Sequence, residues 1–211
     1  FGYRKTSLTL FVILTIVVTA GLSFYDNSLE LTIELPTSQL EKEILESSWL
    51  DLQNIARYPH TYGSRANDQV HDYLEEIIQD MEYDNDGEKI MFELGKGVVS
   101  YYESNNLLVR VNGSDGTLPA LLLSAHYDSV PSSFGVTDDG MGVASLLGVL
   151  RFVAHNQPRR TIIFNFNNNE EFGLFGAHAF VKHPWFKQVG YFLNLEGTGA
   201  GGKAVLFRGT D

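Results

Sequence analysis

Four short stretches of this chain carry side chains that can hold a cation or move a proton. His126-Tyr127-Asp128 directly follows the apolar run Leu121–Ala125. On an extended backbone residues two apart share a face, which suits an imidazole ligand whose second ring nitrogen is held by a carboxylate. Asp138-Asp139 precedes Gly140-Met141-Gly142 and an apolar stretch of helical length. Adjacent acids at a helix start commonly act as caps favoured by the dipole. A carboxylate there can equally bridge two cations, with two glycines leaving room for close packing. Glu170-Glu171 follows the strand-like run Ile162–Phe166 and three asparagines, Asn167 to Asn169. The pair is either a helix-start acid pair or a division of labour, one carboxylate on a metal and the other free as a base. Glu196 completes the four stretches and follows another strand-like run, Tyr191–Leu195. Each signal alone is weak, but their order is informative. Imidazole and carboxylate donors without sulfur suit zinc in a catalytic site.

The elements that must position these groups alternate. Ser38 and Glu41 form a capping box that opens a helix running to about Arg57. A second helix is expected from about Asn67 to Met81, and a turn over Asp84–Glu88. Strands are expected at Lys89–Leu94, Asn106–Val111 and Pro119–His126, the last two joined as a hairpin by the turn Asn112–Gly116. A helix from Gly140 to Asn156, a strand from Thr161 to Asn167 and a helix from Phe172 to His183 follow. Strands at Tyr191–Leu195 and Ala204–Arg208 complete the pattern. Such alternation predicts the α/β class, a mixed β-sheet sandwiched by helices. In such sheets ligands bind beyond the carboxyl ends of the strands, where the four candidate stretches fall.

Composition bounds the function. The chain has 211 residues, with 26 Asp and Glu against 15 Lys and Arg, and no cysteine. The acid excess argues against a nucleic-acid partner, and the missing thiols exclude disulfides, thiolate metal sites and a cysteine nucleophile. Residues 1–25 hold Arg4 and Lys5 and no acid. Thr6 to Tyr25 is a 20-residue run without charge, long enough to span a bilayer. Basic residues before it place the N-terminus in the cytosol and the rest in a lumen or outside the cell. A cleavable signal peptide is the alternative. The expected organisation is a cytosolic end and transmembrane helix over 1–25, a linker over 26–37 and a lumenal domain over 38–211. Asn112-Gly113-Ser114 is a glycosylation triplet that agrees with a lumenal domain. The chain begins with Phe1 rather than Met and ends on a strand-like segment, so both ends read as cut.

Taken together, His-x-Asp, Asp-Asp-Gly-x-Gly, Glu-Glu-x-Gly-Leu-x-Gly and Asn-Leu-Glu, in that order, resemble the M28 family of di-zinc peptidases. Phe164–Gly173 and Asn194–Phe207 resemble a multi-spanning fungal branch of that family. The resemblance implies the zinc-peptidase, phosphorylase/hydrolase-like fold, two Zn2+ per complete subunit, and a peptide or protein as substrate. It implies His126 and Glu196 as ligands of the first zinc, Asp138 as the bridging carboxylate and Glu171 as a ligand of the second zinc. Glu170 would be the general base and Asp128 the partner of His126. It also implies a vacuolar membrane location, with the endoplasmic reticulum as the alternative. The family's last ligand is a later His. His60, His71, His155, His178 and His183 all precede Glu196, so that ligand is expected beyond residue 211, and these residues alone are expected to be inactive. Two other readings compete: a binding subunit that has lost its metal, and an acyltransferase of the glutaminyl-cyclase type. Oligomeric state and amino- versus carboxypeptidase preference are not legible.

Overall fold

In the computed structural model, residues 4–28, 35–81, 90–91, 95–99, 102–197 and 204–210 are described. They divide into two compact units. One comprises Phe1–Leu35 with Lys203–Asp211, the other Pro36–Gly202.

The first unit contains helix α1, Lys5–Ser28. Its stretch Lys5–Asp26 has a mean hydropathy of 2.2 and is long and apolar enough to cross a membrane. Two of its hydroxyls, on Thr9 and Thr15, donate to the carbonyls of Lys5 and Phe11 one turn back. These bonds leave little polar surface for a hydrocarbon environment to reject. Residues 204–210 form no strand, contrary to the expectation for Ala204–Arg208. Val205, Leu206 and Phe207 are exposed and have no strand partner among the described residues.

The second unit begins with α2, Gln39–Ile55, and α3, Arg65–Asp80. The capping box is present: Ser38 Oγ accepts the Glu41 N–H, and the Glu41 carboxylate accepts the N–H of Ser38. Helix α3 starts two residues earlier than its pattern suggests, because Ser64 supplies the cap and leaves Asn67 inside the first turn. Strands β1 (Ile90–Met91), β2 (Gly95–Val99) and β3 (Tyr102–Val111) follow. Residues 84–88 and 92–94 lie outside the described residues. Then come β4 (Ala120–His126), α4 (Met141–His155), β5 (Ile162–Asn167), α5 (Phe175–Val181) and β6 (Val189–Asn194). Helix α5 is shorter than expected at both ends. At its start, Leu174 is left-handed, with φ 61°.

The sheet order is β1-β3-β5-β4-β6, with β2 paired to the first half of β3. Strands β4, β5 and β6 run parallel, and β3 is antiparallel to β5. The expected β3–β4 hairpin is absent, because β5 lies between the two strands. The Asn112–Gly116 turn spends its hydrogen bonds on the segment entering β5: Ser114 donates to the Pro158 carbonyl and Asp115 to that of Arg159.

Alternation sorts the side chains onto two faces. Leu107, Val109, Leu123, Phe164 and Phe166 pack with Leu74 and Ile78 of α3 and Leu146 and Leu150 of α4. Leu108, Leu122 and Ile163 pack with Phe180 and Trp185 on the other face. Helices therefore cover both faces of a mixed sheet, as the α/β pattern requires. The parallel registers His126 to Asn167 and Ser124 to Asn194 bring the carboxyl ends of β4, β5 and β6 to one edge.

Candidate metal centre

His126 is the last residue of β4 and its side chain is 2% exposed. Its Nε2 lies 3.1 Å from Asp138 Oδ1 and 3.2 Å from Glu196 Oε1. Its Nδ1 lies 2.9 Å from the main-chain carbonyl of Asp128, and 3.6 Å from the Asp128 carboxylate. A peptide carbonyl only accepts, so this contact puts the proton on Nδ1 and leaves Nε2 to face the acids. The expected carboxylate partner thus serves His126 chiefly through its backbone.

The Asp128 carboxylate is fully buried and has a further task. It accepts the backbone N–H of Glu170 at 3.0 Å and of Glu171 at 3.2 Å. These charge-assisted bonds tie the exit of β5 to that of β4. Asn169 makes the turn possible by adopting φ 62°, a left-handed conformation that asparagine tolerates. The Glu170 carboxylate has no hydrogen-bond partner among the described residues. Glu171 Oε1 is buried and equally unpartnered.

Asp139 is the site residue that the sequence motifs left without a role. It is buried, and its Oδ2 accepts the backbone N–H of His126 at 3.1 Å. A Cβ at Gly142 would overlap its Oδ1, which explains the glycine. The adjacent acidic pair carried the signal, but sequence could not separate the inward carboxylate from Asp138, whose side chain is 38% exposed.

Six carboxylates, Asp128, Asp138, Asp139, Glu170, Glu171 and Glu196, thus surround one imidazole. Among the described residues His126 is the only basic side chain within ion-pair distance of any of them. The field is visible in the proton affinities. Burial alone would lower His126, but the carboxylates of Asp128 and Glu196 beside its ring and the charge of Asp139 overcome it, to about 12. Burial raises Asp139 to about 8, against the pull of His126. Burial, followed by neighbouring acids, also raises Glu170 and Glu171. Burial pushes Glu196 up, but the bond to His126 and its charge, with the Gly197 N–H and the Asn194 amide, together bring it down.

So much negative charge held by one cation is costly unless further positive charge is bound. Donor atoms of His126, Asp138 and Glu171 lie within 4.8 Å of one another, as do those of His126, Asp139 and Glu196. The unpartnered, buried oxygen of Glu171 and this all-nitrogen-and-oxygen donor set fit a divalent metal such as zinc. Asn112 lies at the other end of the sheet, just after β3, in the turn that bonds to the entry of β5.

Comparison with known proteins adds family and fold. The model of peptidase family M28 matches residues 106–211. The vacuolar membrane protease of Candida dubliniensis is 79% identical over all of this chain, which covers 24% of that protein. Its namesake from Candida tropicalis is 72% identical, again with 24% covered. The chain therefore spans about a quarter of the length of the curated relatives it matches. Among solved structures, LapA from Legionella superposes with a TM-score of 0.61 at 21% identity, covering 81% of this chain and 49% of LapA. At that identity the likeness shows the fold.

Proposed function

The chain belongs to peptidase family M28, and on that premise we propose that it supplies part of a membrane-anchored zinc peptidase. The observation that carries this reading is the set of six carboxylates around one buried His126, with a buried oxygen of Glu171 left unpartnered. His126, Asp138, Glu171 and Glu196 would hold the metal, zinc, with two ions in the complete subunit. Asp139 braces His126 from behind through the main chain, and Asp128 fixes the loop that presents the two glutamates. Zinc bound there lowers the pKa of a bound water towards 7 and polarises a carbonyl.

Glu170 is the base. Its carboxylate is half-buried, free of hydrogen bonds among the described residues, and shifted upward by burial, as a group that must accept a proton near neutrality should be. It takes a proton from the attacking water and returns it to the leaving amine, so the peptide bond breaks with no net change in the enzyme.

Helix α1 anchors the protein, with Arg4 and Lys5 on the cytosolic side and the second unit in the lumen. The names of the relatives support the vacuolar membrane as the location. The domain limits proposed from sequence, 1–25, 26–37 and 38–211, follow this division of labour. A glycan on Asn112 would stand at the end of the sheet away from the metal and leave access open. In the complete protein, Glu170→Gln should retain zinc by elemental analysis and lose peptide hydrolysis by the factor of about 10² to 10⁴ that general bases supply. Undiminished hydrolysis would remove Glu170 from this role.

A further inference from the structure

Two buried carboxamides stand directly behind the acidic loop and join it to helix α3. Asn168 lies two residues before Glu170, and Asn67 lies in the first turn of α3. They are 1% and 2% exposed. Their side chains pair reciprocally. Asn67 Nδ2 donates to Asn168 Oδ1 at 3.1 Å, and Asn168 Nδ2 donates to Asn67 Oδ1 at 3.0 Å.

Each amide then reaches one step further. Asn168 Oδ1 accepts the N–H of Asn169, the left-handed residue that turns the chain towards Asp128. Asn67 Nδ2 also donates to the carbonyl of His60 at 3.1 Å. His60 in turn donates its N–H to Ser129 Oγ at 2.9 Å, and the Ser129 N–H returns to the His60 carbonyl. Ser129 immediately follows Asp128. One side chain on α3 is therefore bonded to two of the three strand exits that carry the acidic cluster, that of β5 through Asn168 and that of β4 through His60.

The backbone of Asn168 is clamped from the sheet as well. Its N–H donates to Asn106 Oδ1 on β3, and the Asn106 amide donates to the Gly176 carbonyl on α5. A Cβ at Gly176 would overlap Asn167 Oδ1 and the Asn168 carbonyl, so this approach admits only glycine.

The choice of side chain has an electrostatic reason. A buried acid here would add charge beside six carboxylates, and a buried base would compete with the metal for them. A carboxamide supplies a donor and an acceptor with no charge. The pair also satisfies itself, so removing either partner leaves a buried polar group without its mate.

We infer that Asn67 and Asn168 are positioning residues, whose mutual pair holds the loop Asn168–Glu171 so that the carboxylates of Glu170 and Glu171 meet the metal and the water correctly. The catalytic consequence rests on the hydrolytic reading above, while the ordering of the loop does not.

The test uses the complete protein with Asn67→Ala, Asn168→Ala and the double variant. Zinc content, kcat, KM and backbone hydrogen exchange at Glu170 and Glu171 are measured. Each single variant should lose kcat by on the order of ten- to a hundredfold with KM near the parental value, the size of effect a small misplacement produces. The double variant should fall no further than the worse single one, because one shared contact is lost only once. Exchange at the two glutamate amides should accelerate on the order of tenfold in every variant. A lower melting temperature with parental kcat and parental exchange at these amides would mark a merely structural pair and overturn the inference. Additive losses in the double variant would overturn the shared contact. Should the alanine variants fail to fold, Asn67→Ser makes the smaller change in a first helical turn, and unchanged exchange at Glu170 and Glu171 there overturns the inference equally. A parent that holds no zinc and cleaves no peptide would overturn the hydrolytic reading, while the exchange measurement still decides the loop.

Discussion

Strands β5 and β6 are close copies in sequence and opposites in structure. Ile162-Ile163-Phe164-Asn165-Phe166 and Tyr191-Phe192-Leu193-Asn194-Leu195 share the pattern of three apolar residues, an asparagine and another apolar residue, and both lead into glutamates of the acidic cluster. Every residue of β5 is buried, between β3 and β4 and under helices on both faces. In β6, Tyr191 is 57%, Phe192 61% and Leu193 48% exposed. It pairs with β4 on one edge, and no strand covers its other edge among the described residues. An apolar run says that a strand can be buried on both faces, not that it is.

The same contrast divides the candidate metal centre. His126, Asp128 and Asp139 hang from β4 and the segment just beyond it, and they are bonded through main-chain groups at the end of β4 and in the loops that follow β4 and β5. Glu196 hangs from β6, and its side chain is 45% exposed. The centre has one side fixed by the sheet core and one side set by a strand that is open to solvent.

The sharpest way to break this comparison is to truncate the equivalent side chain in both strands. In the 211-residue chain held in detergent, Phe164→Ala should destabilise the second unit by about 3–5 kcal/mol, through lost transfer energy and a cavity that β3 and β4 prevent from collapsing. Leu193→Ala, at the same place in the sequence pattern and opposite the same Leu123 of β4, should fall within about 0.5 kcal/mol of the parent, as surface substitutions do. Denaturant unfolding checks both. Equal losses would mean that β6 is as buried as β5.

A second substitution probes the fixed side of the centre directly. Gly142→Ala places a methyl group against the Asp139 carboxylate, which is already held by the His126 N–H. Overpacking of this kind costs about 1–3 kcal/mol, and here the displaced group is the brace behind His126. Thermal unfolding should show the loss, and the backbone N–H of His126 should exchange faster. No shift in either would mean that Asp139 can move aside freely, and that the two sides of the centre do not differ in rigidity.

These contrasts also mark what sequence made legible. The order of elements and the acidic stretches at strand ends followed from periodicity and from residue chemistry, because both are local properties. Pairing was not legible. The turn at Asn112–Gly116 is real, yet β5, some fifty residues on from that turn, inserts between the strands it connects. Asn67 and His60 carried no local signal either, since a buried carboxamide in a first helical turn looks like a cap until its partner Asn168 is seen. The strand expected at Ala204–Arg208 did not form: an apolar run is necessary for a buried strand but does not by itself supply a pairing partner, and none is found among the described residues.

The smallest expected loss calibrates the others, because it lies on the exposed start of α2 and should remain local. Ser38→Ala removes the bond to the Glu41 N–H and should cost about 1 kcal/mol, measured by denaturant unfolding. Glu41 answers with a pH dependence of predictable sign. The N–H of Ser38 first, then the N–H and hydroxyl of Thr37, hold its carboxyl below the ordinary 4.5. A depressed folded value means that the box contributes its full stability above pH 4.5 and loses it as the pH falls through the lower, folded value. Amide exchange at Ser38 should therefore accelerate over that acidic window in the parent and show no such step in Glu41→Gln. If the same step persisted in the variant, the titration would belong to the acids of the metal centre, and α2 would be coupled to the fixed side of the sheet rather than independent of it.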